Sequence, residues 1–311
     1  MTLPGSYTVT VTNPINGCSS IGNATVNADN TPPNASATAN TLTCGQPTIN
    51  INGTTNVPSA SFNWSGPGIN PGNQTLEDPP VSVPGVYNVT VTNTVNSCTN
   101  TATVTVSQDI TTPTASAGAD PTITCTQSSV LLNGTGTPAN VNFGWSGPGI
   151  TPANQNLANP SVNIAGNYIL TVTNPTNGCI KTDTVTVNAS INPPVADAGT
   201  DPTLTCAVTS VTIGGSTSSQ GANFQASWSG PDINAGNANQ YTPTVGISGN
   251  YQITVLNTQN GCTATDNVTV NINTTAPTAN AGTDQTLTCS SPNGVTLSGS
   301  GSPAGITYLL S

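Results

Sequence analysis

The chain has 311 residues, of which 4% are charged; Lys181 is the single cation, histidine is absent, and the net charge is −10. One lysine can neither displace the counterions of a phosphate backbone nor hold an anionic bilayer, so nucleic acid and direct membrane contact are excluded as partners. Without histidine there is no Ser-His-Asp or Cys-His machinery, and no repeat offers a convincing carboxylate pair, so neither enzyme chemistry nor a cofactor is expected.

Taken in chain order, the first element is a strand opening at Gly5-Ser6-Tyr7, with Thr8, Thr10 and Thr12 on its polar face. Residues 1–32 correspond to the back end of a repeat, because Leu3-Pro4-Gly5-Ser6-Tyr7 aligns with Val83-Pro84-Gly85-Val86-Tyr87. Next come Ile49 and Ile51 on an inward-facing strand, then a strand ending in Trp64-Ser65-Gly66-Pro67-Gly68-Ile69. Pro67 and Gly68 suit the two central positions of a type II turn. From Gly85, apolar Tyr87, Val89 and Val91 alternate with Asn88, Thr90 and Thr92, the period of a half-buried antiparallel strand. A second alternating run carrying Val104 and Val106 completes a hairpin.

The same elements then return. Trp145-Ser146-Gly147-Pro148-Gly149-Ile150 and Trp228-Ser229-Gly230-Pro231-Asp232-Ile233 repeat the tryptophan segment, and Gly166 and Gly249 reopen the tyrosine strand, with Tyr168 and Tyr251. Val185 and Val187 repeat the second hairpin arm after the turn Asn174-Pro175-Thr176-Asn177-Gly178-Cys179. Four markers sharing one period define repeats at 33–112, 113–193 and 194–276, with 277–311 as the front end of a further one, where Leu310 stands in place of tryptophan. Flanks that start and stop inside the repeat lead us to expect a piece of a longer array, with Met1 marking no natural boundary.

About seven short strands per repeat, with turns every 8–12 residues and no helical stripe, give an all-β fold: tandem immunoglobulin-like (PKD-like) β-sandwich repeats, arranged as beads on a string. Trp64, Trp145 and Trp228 fall where strand C places a core indole. Tyr87, Tyr168 and Tyr251 fit a tyrosine corner, while Val89 and Ile51 occupy the positions of the inter-sheet cysteines of antibody domains.

The cysteines follow the same beat, Cys18, Cys98, Cys179 and Cys262 in one series and Cys44, Cys125, Cys206 and Cys289 in the other, in steps of 80 to 83 residues. With no histidine and no Cys-x-x-Cys pair they read as disulfide candidates, which places the chain in an oxidising compartment. Three pairings respect the spacing: within a repeat (Cys44–Cys98, Cys125–Cys179, Cys206–Cys262), across a boundary (Cys98–Cys125), or skipping forward (Cys44–Cys179, Cys125–Cys262). The first strand's cysteine lies near the bottom of the sandwich and the hairpin cysteine at the top, roughly 20 Å apart within one repeat. Head-to-tail stacking favours the skipping pair, and all three stay open. Calcium ligands at repeat junctions would come from Asp197, Asp201 and Asp266, against a reading of these as solvated turn aspartates.

The pattern Ala-Gly-Thr-Asp-Gln-Thr-Leu-Thr-Cys (281–289), then Val-Thr-Leu-Ser-Gly-Ser-Gly, Trp-Ser-Gly-Pro-Gly, Gly-x-Tyr-x-Val-Thr-Val-Thr-Asn and Asn-Gly-Cys, resembles the PKD-like and Ig-like repeats of very large bacterial surface adhesins. Those are exported by type IX secretion in gliding bacteria and their relatives. The resemblance covers the whole chain. It implies a secreted, cell-surface location and a structural role as the stalk or filament region of an adhesin. Its partners would be neighbouring repeats or like subunits in a filament, with surface glycans and other cells as further candidates. Asp183-Thr184-Val185 resembles an O-glycosylation acceptor of the same bacteria, at Thr184. The alternative is a carbohydrate-binding or other ligand-binding module, contacting through the Gly-Pro-Gly-Ile loops.

Overall fold

The computed structural model describes residues 3–290, 293–307 and 309, so Leu310 lies outside the described residues. Two compact units emerge, residues 1–121 with 130–187, and residues 122–129 with 188–311. Among the described residues all elements are strands, joined by turns rich in Gly, Asn and Pro.

In the first unit, residues 36–109 show how the sandwich forms. Ser36–Thr38 pairs antiparallel with Asn52–Thr54, and Ile49–Asn50 with Pro80–Val81, as two short two-stranded ladders on one side of the sandwich. The chain then switches sides: Leu42–Thr43 pairs parallel with Gln108–Asp109. Gly85–Asn93 runs antiparallel between Thr99–Val106 and Ala60–Ser65 to form the other sheet. Side chains of the alternating strands meet between the two sheets, where Leu42, Ile51, Trp64, Tyr87, Val89 and Val91 are buried together. Aliphatic packing by Ile51 and Val89, both fully buried, fills the space an inter-sheet disulfide would span. The same strand pairs recur at Thr114–Ser116 with Thr135–Thr137, at Val130–Leu131 with Ser161–Val162, and at Gly166–Thr173 between Asn142–Ser146 and residues 180–187.

In the second unit, Gly249–Asn257 lies between Phe224–Ser229 and Thr263–Asn273, with Thr203–Thr205 parallel to the end of the latter. Its core gathers Leu204, Ile213, Trp228, Tyr251, Ile253 and Val255. Residues 122–124 pair parallel with residues 188–190 in the same unit.

The N-terminal hairpin, Gly5–Thr12 with Ser19–Val26, keeps the pairing of the complete repeats but not their burial. Val9 and Val11 are 60% and 65% exposed, whereas the corresponding Val89 and Val91 are at 0%. Sequence alternation sets which face would go inward; burial itself requires the opposite sheet.

Candidate functional site

The tyrosine corner is built from the turn outward. Ile69 N–H donates to the Gly66 carbonyl (3.2 Å) with Gly68 at φ 77°, the type II turn expected of Gly-Pro-Gly. A Cβ on Gly66, at φ 152°, would sit 2.6 Å from the Tyr87 ring, so the glycine is there to let the ring lie against the backbone. The Tyr87 hydroxyl is 2.6 Å from both the Pro67 and Val83 carbonyls and shares its proton between them. Tyr168 does the same with Pro148 and Ile164, and Tyr251 donates to Ile247. The hydroxyl thereby stitches the Gly-Pro turn to the corner before its own strand. Burial raises the pKa of all three tyrosines, which keeps them donors. In the third copy Asp232 replaces the glycine without a positive φ, and its carboxylate instead accepts the Gly246 N–H at 2.6 Å.

The junctions hold the cysteines. Cys44 is bonded to Cys179 and Cys125 to Cys262, with Cα separations of 4.9 and 5.0 Å. These are the skipping pairs: each ties the end of one repeat's first strand to the hairpin turn of the next. Cys18, Cys98, Cys206 and Cys289 are free thiols. Cys179 and Cys262 are buried.

An asparagine two residues before each hairpin cysteine makes the turn into a socket, which the sequence reading missed. Asn177 is 2% exposed, yet every polar atom of its amide is used. Its Oδ1 accepts the Cys179 N–H (3.0 Å), and its Nδ2 donates to Asp109 Oδ1 (3.1 Å) and to the Thr111 carbonyl (3.0 Å). Its backbone carbonyl accepts the Gly45 N–H beside the disulfide (3.0 Å). Full satisfaction is what makes burial of an amide tolerable, since each unmet polar group would cost roughly 1–3 kcal/mol. Gly178 follows at φ 70°, and a Cβ there would fall 2.8 Å from the Gly45 Cα. Asn260 repeats the arrangement, with Oδ1 accepting the Cys262 N–H, Nδ2 donating to the Asn192 carbonyl, and its own carbonyl accepting the Cys125 N–H. Asn96 likewise caps the Cys98 N–H and donates to the Thr31 carbonyl, although Cys98 is free.

The Thr111 backbone N–H, then the Asn177 amide, hold the Asp109 carboxyl below its ordinary 3.8. A depressed carboxylate contributes stability that is present above its unfolded value and lost as pH falls through the folded one. The Cys44–Cys179 junction is therefore expected to loosen as the pH falls below the ordinary carboxylate range. Amide exchange at Asn177–Cys179 measured across and below that range checks this; Asp109→Asn should flatten the dependence.

Four further aspartates, one of them the exposed Asp201, accept backbone N–H groups. Asp183 accepts the Ala117 N–H (2.8 Å), which with the Thr184 N–H lowers its pKa. Asp266 accepts the Ala198 N–H, Asp201 the Thr269 N–H, and Asp197 those of Thr217 and Gly199. Asp183, Asp201 and Asp266 brace the first strand segment, including its break, against the last strand, while Asp197 holds Thr217 and Gly199. Among the described residues no three metal-ligating side chains form a group. Thr184 is exposed.

A chain of tandem Ig-like β-sandwiches braced by disulfides is the class these features define. No family model matches the chain, and no curated protein does. Among solved structures it is similar to an E-to-A variant of titin domains I67–I69, at 13% identity and TM-score 0.34, over 73% of this chain and 92% of that one. It is also similar to the three N-terminal domains of the outer capsid protein Hoc of bacteriophage RB49, at 12% identity and TM-score 0.33, over 77% and 99%. Domains 3–5 of Drosophila OTK give 12% identity and TM-score 0.26, over 73% and 91%. Likeness at this level carries no argument about ligand, partner or location, and the fold rests on the strand pairing described above.

Proposed function

We propose that the chain is part of the stalk of an extracellular bacterial surface adhesin or appendage, in which the array of repeats is itself the working part. The observation that supports this most is the junction. Each disulfide spends its bond on linking neighbours rather than on stabilising one sandwich, and the Asn socket fixes the hairpin turn beside it. Such placement resists extension and proteolysis, and the near-absence of Lys and Arg leaves few trypsin-type cleavage points. Disulfides persist outside reducing cytosol, which agrees with a surface location. Partners on this reading are neighbouring repeats and like subunits of a filament.

Immunogold labelling of intact producing cells, with antibody raised against the 311-residue chain, tests the reading. Label on filaments projecting from the surface is the expected result. Label that appears only after lysis would overturn it.

A further inference from the structure

Besides Asp232, the third tryptophan repeat departs from the other two beside its indole, and there it carries a groove of about 690 Å³. In the first two repeats the residue two before the tryptophan is a phenylalanine, Phe62 and Phe143; in the third it is Ala226. In the first two, the residue whose carbonyl accepts the indole N–H is Glu77 or Ala158. Its counterpart thirteen residues after Trp228 is Tyr241, whose ring packs against the core that Ala226 leaves short. On the outer face Leu256 stands where Thr92 and Thr173 stand, opposite Gln225 on one side and Thr263 on the other.

The exchange leaves two donors unsatisfied. Trp228 Nε1, in a side chain 4% exposed, and the Tyr241 hydroxyl are both buried without a hydrogen-bond partner. Structural sandwiches gain nothing from such a change, because an unpaired buried donor costs roughly 1–3 kcal/mol. Binding sites tolerate that cost. The groove is lined by Gln225, Ser227, Asn239, Tyr241, Thr254 and Leu256 among others, with no charged side chain. Its size lies within the roughly 300–1,000 Å³ usual for small-ligand sites.

We infer that this groove binds a neutral carbohydrate. Amides and hydroxyls beside one aromatic and one aliphatic surface match a ligand that has dense hydroxyls and an apolar ring face. A charged ligand would be desolvated there with no counter-charge. An added peptide strand would need the free edge of Phe224–Ser229, but the Trp228 N–H on that edge already donates to the Ala238 carbonyl. This function is separate from the stalk reading, and either can fail without the other.

The test is calorimetric titration of the full chain with soluble tetrasaccharides of glucose, galactose, mannose and N-acetylglucosamine. Binding of at least one is expected. Gln225→Ala, and separately Leu256→Thr, which restores the residue of the other repeats, should each weaken it by about tenfold, one lost contact of ~1.4 kcal/mol. The double change Ala226→Phe with Tyr241→Ala recreates the second repeat's arrangement, so it should fold and lose binding. No heat with any of the four sugars overturns the inference. So does binding that these variants leave unchanged, or binding of an extended peptide in place of sugar.

Discussion

Reduction of the two disulfides is expected to increase about fourfold the length of chain released between Cys44 and Cys262 when the protein is pulled from its ends. The bonds Cys44–Cys179 and Cys125–Cys262 overlap in sequence. With both intact, the shortest covalent route from Cys44 to Cys262 crosses the first bond, runs back along the 54 residues between Cys179 and Cys125, and crosses the second. At roughly 3.4 Å per residue that segment extends to roughly 180 Å. Once the bonds are reduced, all 218 residues from Cys44 to Cys262 can extend, to about 740 Å. Single-molecule force spectroscopy with and without reductant reads the difference directly, and Cys179→Ser with Cys262→Ser should reproduce the reduced trace. Each bond closes a separation of 135 or 137 residues, so removing either one should also cost about 5 kcal/mol by the loop-entropy estimate. An oxidised trace as long as the reduced one would show that the ties bear no load.

The second large effect is expected at the indoles. Trp145 is 3% exposed, with its N–H donating to the Ala158 carbonyl at 3.3 Å. Trp145→Ala leaves a cavity between the sheets and an unpaired carbonyl, and should destabilise the sandwich by about 3–5 kcal/mol. Urea denaturation followed by tyrosine and tryptophan emission should show the midpoint falling accordingly. Trp228→Ala should cost less, because that indole N–H has no partner to lose. Equal losses at the two positions would remove the basis for treating the third sandwich as different.

These effects also show which parts of the structure the sequence made legible. The core was readable because period two is a property of single strands: Tyr87, Val89 and Val91 alternate with polar residues, and all three are fully buried. The tyrosine corner was readable because Gly-Pro-Gly and the tyrosine hold fixed offsets. Disulfide partners could be ranked, with head-to-tail stacking favouring the skipping pair, but not fixed, since no strand pattern encodes how one sandwich follows another. The buried Asn177 and Asn260 were hidden by composition. In a chain this rich in asparagine, an amide before a Gly-Cys turn reads as turn chemistry, although its place two residues before the cysteine in every hairpin was the available signal. The acceptor role of the aspartates was not legible because it depends on backbone N–H groups some 66 to 68 residues away in sequence. The groove beside Tyr241 was visible only as two substitutions, Ala226 and Tyr241, whose connection is spatial.

That sandwiches are tied to their neighbours rather than within themselves is the claim on which the stalk reading depends. Non-reducing proteolysis of the oxidised chain, followed by mass spectrometry of the linked peptides, tests it most directly. The account predicts one peptide pair joining Cys44 to Cys179 and another joining Cys125 to Cys262. Linkage of Cys44 to Cys98 and of Cys125 to Cys179 would contradict it.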